Sequence, residues 1–288
     1  MKNILHFLAL VLIGISCSKK ENNSPGISNS GCLIADATDS ATNQKSYSCT
    51  YDANRRITKF QQYDNGVEDL YTTFTYGPGI VTLQFYLPGG VAIGRPVSAS
   101  INSKGYNRSD ITSKPDTVEN VPGITKDTLI CEYKSDDKLE TMITRSTTYA
   151  NGSNAILRQI RLFSHFIYSG NRLMERIDSN STRFGNNPFN KFSSTTEYTY
   201  DVGSPTVKVN PVIDQNDPFF GNRLGSLASD KIPVKAVKKY DDFGSRPFTS
   251  TTTYTAVVDA KGNPTKIRSG SGGSSPSFRT QIYTYNCQ

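Results

Sequence analysis

The chain alternates between two kinds of side chain over much of its length. In "SYSCTY" (46–51), Tyr47, Cys49 and Tyr51 fall on one parity and Ser46, Ser48 and Thr50 on the other. In "IYTYNC" (282–287), Tyr283, Tyr285 and Cys287 share a parity opposite Ile282, Thr284 and Asn286. A period of two sends successive side chains to opposite faces of a strand. One aromatic face and one hydroxyl-bearing face mark an antiparallel sheet that buries one side and wets the other. "LYTTFTY", "IVTLQFYL", "TLICEY", "LFSHFIY", "STTEYTY", "TSTTTYTAVV" and "TQIYTYNC" carry the same Thr, Tyr, Phe and β-branched residues, which suit a pleated, half-buried surface. Turn formers separate these runs: Asn65-Gly66 and Asn151-Gly152 tolerate positive φ in tight hairpins, and Pro78-Gly79 and Gly170-Asn171 punctuate further. In the first third, the turns near Ala53, Asn65, Pro78 and Gly89 recur about every twelve residues, the rhythm of an up-and-down β fold. The pattern predicts an all-β protein: a large curved antiparallel meander sheet or barrel-like fold built of consecutive hairpins. One segment departs from it. "NDPFFGNRLGSLASDK" places Asp217 to cap and Pro218 at a first helical position, so at most one short helix is expected near 217–229.

"YDANRRITKF" (51–60) nearly recurs as "VDAKGNPTKI" (258–267): Asp52, Ala53, Thr58 and Lys59 meet Asp259, Ala260, Thr265 and Lys266 at equal offsets. The shared pattern is a hairpin recipe. A strand ends in Tyr, Asp begins the turn by accepting hydrogen bonds from its own backbone, and a β-branched residue starts the return. Weaker copies stand at Glu132–Ile143, Ile167–Ile177 and Tyr198–Val209, so one supersecondary unit is reused.

The amino terminus changes the picture from fold to location. "MKNILHFLALVLIGIS" (1–16) sets one lysine ahead of an apolar run, the build of an export signal. That run falls short of the roughly 20 apolar residues a membrane-spanning helix needs. Small Gly14 and Ser16 precede Cys17, which resembles a bacterial lipobox, with Gly14 where a leucine is usual. Cys17 is therefore the expected lipidation site. Residues 17–31 are too polar to bury anything and are read as a tether; residues 32–288 form the expected single β-rich domain. The net charge is +7. Basic residues are interleaved with acids, and the densest group, Lys231, Lys235, Lys238 and Lys239, is read as a solvated strand face. Export leaves no nucleic-acid partner.

Four cysteines follow Cys17: Cys32, Cys49, Cys131 and Cys287. An even number in an exported chain suggests two disulfides. Cys32 and Cys49 flank a turn-prone stretch symmetrically, which predicts their pairing and leaves Cys131 with Cys287; free buried thiols are the alternative.

Catalytic inventory is thin. After the leader there is one histidine, His165, within a strand pattern, and no nucleophile elbow accompanies it. No zinc-type cysteine spacing, phosphate-binding loop or dinucleotide fingerprint occurs, so no metal, cofactor or catalytic residue is assigned. Asp136-Asp137 and Asp241-Asp242 stand in turn contexts where Asp is expected. Sixteen Tyr and fourteen Phe offer stacking surfaces that suit a glycan or an amphiphile, while the lack of Trp argues against a dedicated sugar platform. Asp39-Ser40-Ala41, Asp116-Thr117-Val118 and Asp127-Thr128-Leu129 resemble short O-glycosylation acceptors.

The Tyr-Asp hairpins resemble the YD repeats of Rhs and teneurin shells, with Arg55 where those carry glycine and Val258 where they carry tyrosine. The copies are too few and scattered for a shell of tandem repeats. A broader resemblance covers nearly the whole chain. The lipoprotein signal, the leading "CLIAD", the YD-type hairpins, the late "FFGNRLGSLASDKIPVKAVKKY", then "VDAKGNPTKI" and terminal "YTYN" are similar to a family of Bacteroidetes lipoproteins of unknown function with a porin-like fold. That resemblance implies a large curved sheet or barrel and supplies no functional residues. A transmembrane barrel needs an outward apolar band about 25 Å tall, whereas the second face of these strands is rich in Ser, Thr, Asn and Gln; porin-like is read as shape, not insertion. The expectation is a non-enzymatic, lipid-anchored protein of the outer membrane and cell envelope that meets the membrane through its anchor alone. It would bind a glycan, an amphiphile or an envelope protein, with ligand-binding residues unassigned. A structural or adhesive surface component is the alternative, and an envelope hydrolase the third.

Overall fold

The structure, a computed structural model, describes residues 32–53, 56–102, 105–135, 138–207, 230–241, 247–272 and 277–287. The leader 1–16, Cys17, the tether 17–31, Asp136-Asp137, Asp242 and the helix expected near 217–229 lie outside the described residues.

Among the described residues sixteen strands follow one another: β1 (Cys32–Asp39), β2 (Gln44–Tyr51), β3 (Ile57–Asp64), β4 (Val67–Gly77), β5 (Ile80–Leu87), β6 (Val91–Asn102), β7 (Gly105–Val118), β8 (Val121–Tyr133), β9 (Leu139–Ala150), β10 (Ile156–Ser169), β11 (Arg172–Phe184), β12 (Asn190–Thr199), β13 (Lys235–Tyr240), β14 (Phe248–Val258), β15 (Pro264–Ser271) and β16 (Ser277–Cys287). Each pairs antiparallel with its predecessor and successor, and β1 pairs with β16, so the meander closes into a barrel. Closure leaves none of these strands as an unpaired edge.

The turns follow the sequence signals. Asn65 and Gly66 both adopt positive φ between β3 and β4, Gly79 does so after Pro78, and Gly152 and Gly170 do so in theirs. Glu119-Asn120 makes a further two-residue reversal with positive φ at both residues, an arrangement whose twist matches the flanking strands. Because the strands alternate in direction, all turns of one kind gather at one rim. The upper rim carries Asn65-Gly66, Glu119-Asn120 and Asn151-Gly152; the lower carries the Asp52 and Asp259 turns together with Cys32 and Cys287.

The repeated motif is closed by the same pair of hydrogen bonds in its two best copies. The Asp52 N–H donates to the Arg56 carbonyl and the Asp259 N–H to the Asn263 carbonyl, both at 2.9 Å. In return Asp52 Oδ1 accepts from the Arg56 N–H, and Asp259 Oδ1 from the Asn263 N–H, both at 2.8 Å. Lys134 and Lys138 close a turn of the same size. The tyrosines of the motif point inward and tie distant backbone: Tyr51 Oη donates to the Ile34 carbonyl and Tyr200 Oη to that of Leu173. The copy at Tyr198–Val209 does not make a hairpin. From Asp201 the chain runs to a bridge between Thr206 and Lys231 before β13 begins, and Val207 and Ile232 from this bridge are buried with the barrel core.

Inward positions divide by height. Near the lower rim and across β1–β6 they are apolar: Ile34, Phe60, Phe74, Leu83, Phe85 and Tyr283 in one cluster, and Leu139, Met142, Phe166, Leu173 and Tyr198 in a second. Phe60 and Phe85 are almost fully buried, which stabilises the fold by roughly 2–3 kcal/mol each. As expected, Tyr47, Cys49 and Tyr51 all face inward.

The expected cysteine pairing is corrected. Asp36 opposes Ser48, which sets Cys49 against Ala35 and leaves Cys32 about 10 Å further along its strand. Instead Cys32 opposes Cys287 across the β1–β16 seam, and these two form the disulfide. Cys49 and Cys131 are both buried, and neither is joined to Cys287.

Candidate functional site: the polar half of the interior

On β10 to β13 the inward face carries a group of polar residues that stand in register at mid-height. Ser164 opposes Asp178, and Asp178 opposes Ser194; one step lower, Phe166, Arg176, Thr196 and Lys238 form a single row across four strands. Arg176 Nε donates to Asp178 Oδ1 at 2.7 Å, and Ser164 Oγ donates to the same oxygen at 2.6 Å. The Arg176 guanidinium lies 5.6 Å from the Phe166 ring centroid, and Lys238 Nζ 4.9 Å from that of Tyr240. Ser164, Ser194 and Thr196 are buried, but the Arg176 and Asp178 side chains keep 23% and 22% of their surface. Solvent therefore reaches charged groups on the inner wall of a closed barrel.

A second cluster lies toward the upper rim. Asp116 Oδ2 accepts from Thr125 Oγ1 at 2.8 Å and from an Arg158 terminal nitrogen at 2.7 Å, while Thr125 and Thr148 hydroxyls lie 2.7 Å apart. The Asp116 side chain is only 7% exposed, so the guanidinium compensates a carboxylate withdrawn from water. Gly123, opposite Asp116, makes room: a Cβ there would stand 2.5 Å from the Tyr149 carbonyl oxygen. Arg158 and Ser164 lie six positions apart on β10, so the two clusters are separated by roughly 20 Å along the wall.

Burial raises three tyrosines. Tyr47 is pushed well above the ordinary tyrosine range, by desolvation first and by its neighbours Tyr283 and Cys49 second; Tyr283 and Tyr285 are pushed up for the same first reason.

The sequence-derived candidates scatter. His165 stands on the outer face of β10, between Thr141 and Ile177, its ring stacked on Phe163 at 6.4 Å between centroids. It is thus on the opposite side of the wall from Asp178 and Asp116. The lysine group is not one solvated face: Lys239 points outward to Glu197, whereas Lys238 points inward in register with Thr196. Among the acceptor-like triplets, Asp116 and Asp127 are inward and withdrawn from solvent while Thr117 is exposed. Among the described residues no group of His, Cys, Asp and Glu could hold a metal ion. Arg158, Arg176, Asp178, Thr196 and Lys238 were not singled out by sequence. The available signal was the shared parity of Arg176, Asp178, Asn180 and Thr182, which reads as a wet outer face until closure turns it inward.

No protein-family model and no curated protein matches this chain. Solved structures do. A porin-like protein from Bacteroides vulgatus ATCC 8482 is 20% identical, with a TM-score of 0.56 over 88% of this chain and 99% of that one. A porin-like protein from Bacteroides uniformis ATCC 8492 is 14% identical, with a TM-score of 0.50 over 91% of this chain and 99% of that one. The fold is porin-like.

Proposed function

We propose that this chain is a non-enzymatic, lipid-anchored protein of the cell envelope, held at the outer membrane through Cys17, that takes a small polar ligand against the polar inner wall of its barrel. The observation that carries this reading is the hydrated inner wall of β10–β13, where Arg176 and Asp178 remain solvent-accessible inside a closed sheet. A barrel that served only as a scaffold would gain more from apolar filling there, since replacing an internal ion pair by hydrophobic groups is often neutral or stabilising.

The outer wall supports a water-facing barrel. Outward positions include Lys235, Lys239, Glu197, Arg183 and the run Thr249, Thr251, Thr253 and Thr255. Each Lys or Arg at a bilayer midplane would cost about 2–4 kcal/mol, so attachment falls to the acylated cysteine. Against hydrolysis, Asp116 and Asp178 lie roughly 20 Å apart along the wall, beyond the ~5–10 Å that paired glycosidase acids require. Each is also engaged by an arginine.

A second reading, an adhesive or structural surface component, is favoured by one feature. Ile130, Ile143 and Phe163 form an outward cross-strand row beside Ile177, with Phe163 36% exposed, an apolar patch of the kind that meets other proteins.

Two measurements test the proposal. Cys17→Ala should move the protein from the membrane to the soluble fraction; retention in the membrane would refute the anchor. A small-molecule screen read by NMR should shift Thr196 and Tyr240. Shifts confined to the Phe163 patch on adding envelope extract would favour the second reading.

A further inference from the structure

We infer that the inward row Arg176, Thr196 and Lys238 is a recognition site for a hydroxylated organic anion, the class of sugar acids and sugar phosphates. This rests on the lumen reading above and names its ligand.

Adjacent strands are about 4.8 Å apart, which puts the backbones of Arg176 and Lys238 roughly 10 Å from each other with Thr196 between them. Both cations face inward, so an anionic group over Thr196 lies within reach of both. The charges nearby do not balance. Asp178 is matched to Arg176, but among the described residues no carboxylate pairs with Lys238, which meets only the Tyr240 ring. Lys239, one position on and outside, has Glu197. A half-buried ammonium without a counter-charge is costly, and an anion entering from the upper rim would offset that cost. Arginine adds a planar donor fork suited to carboxylate or phosphate.

The rest of the wall selects the ligand's body. Thr196 stands in the row between the two cations, and its hydroxyl can exchange hydrogen bonds with a ligand hydroxyl. The lower interior and the β1–β6 side are already filled by Phe60, Phe85, Leu139, Leu173 and Ile232, each nearly inaccessible. A long acyl tail therefore finds no space, which separates this ligand from fatty acids and other anionic amphiphiles.

The experiment is a calorimetric titration of the purified full chain with glucuronate, glucose 6-phosphate, glucose and palmitate. The two sugar anions should bind, with glucose at least tenfold weaker and palmitate silent. Lys238→Gln should lose about tenfold or more for both anions, Lys238→Arg should keep binding, and Lys239→Gln should change nothing. Equal affinity for glucose and glucuronate would overturn the anion site while leaving the lumen reading intact. So would equal losses in Lys238→Gln and Lys239→Gln, which would mean a diffuse charge effect. Absence of binding by both anions overturns the inference, and if glucose too leaves the Thr196 and Tyr240 resonances unmoved, the lumen reading falls with it. Should Lys238→Gln fail to fold, the Lys238→Arg and Lys239→Gln pair decides: anion affinity lost in Lys239→Gln would overturn the site.

Discussion

Cys32 and Cys287 oppose each other on the first and last strands, and their disulfide joins positions 255 apart in sequence across the seam that closes the barrel. A cross-link over so long a loop removes much unfolded-state freedom. Cys287→Ala is expected to lower stability by about 2–5 kcal/mol, read as a fall in the urea midpoint. An unchanged midpoint would show that the β1–β16 hydrogen bonds hold the seam alone.

Gly123 leaves no room for a side chain, because its Cβ would press on the Tyr149 carbonyl and on Thr148 and Leu157. Backbone cannot swing aside as a flexible side chain does. Gly123→Ala should cost about 1–3 kcal/mol, and since Gly123 opposes Asp116 it should also disturb the Arg158 contact. Hydrogen exchange of the Thr125 and Thr148 amides would report this; a variant as stable as the parent would contradict the close approach.

Alkaline pH should unfold the protein. Tyr47, Tyr283 and Tyr285 are raised in the folded state by burial, so the unfolded chain ionises first, near the ordinary value of about 10. Their contribution is fully present below that value and is lost as pH rises through the folded one. Stability should stay level to about pH 9 and fall beyond 10. Tyr285→Phe, which loses the bond to the Pro264 carbonyl, should be weaker by about 1 kcal/mol at neutral pH but decline less steeply in alkali. A parallel decline would point to another group.

The Asp259 turn carries the opposite sign. Burial alone would raise this carboxyl, but hydrogen bonds from Asn263 and Lys261 and the Lys261 charge bring it below its usual 3.8. Its stabilisation is present above the unfolded value and disappears as pH falls through the lower folded one. Asp259→Ala should therefore cost about 1 kcal/mol at pH 7 and almost nothing near pH 2, measured as the difference between thermal midpoints. A cost independent of pH would assign the effect to packing instead.

How much of this was legible follows from which signals are local. Asn65-Gly66, Pro78-Gly79 and the Tyr47, Cys49, Tyr51 face could be read because a turn dipeptide or an aromatic alternation acts within a few residues. The matching Asp52 and Asp259 turns could be read for the same reason. β6 and β7 carry no such mark: "VAIGRPVSASIN" and "GYNRSDITSKPDTV" include Pro96 and Pro115 and lack an aromatic face. The Cys32–Cys287 pairing was hidden because it depends on the sheet closing, a relation between the two ends of the chain. The polar lumen was misread for a physical reason. Around β10 and β11 the usual code is reversed, with Phe163 and Ile177 turned to water and Arg176 and Asp178 turned inward.

The strand directions also settle how the molecule would be presented. The chain enters β1 at Cys32, on the rim where the Thr206–Lys231 bridge sets Val207 and Ile232 into the apolar core. An attachment upstream of Cys32 would hold the barrel from that rim, like a goblet on its foot. The charged wall around Arg176 and Asp178 would then open on the side away from the lipid.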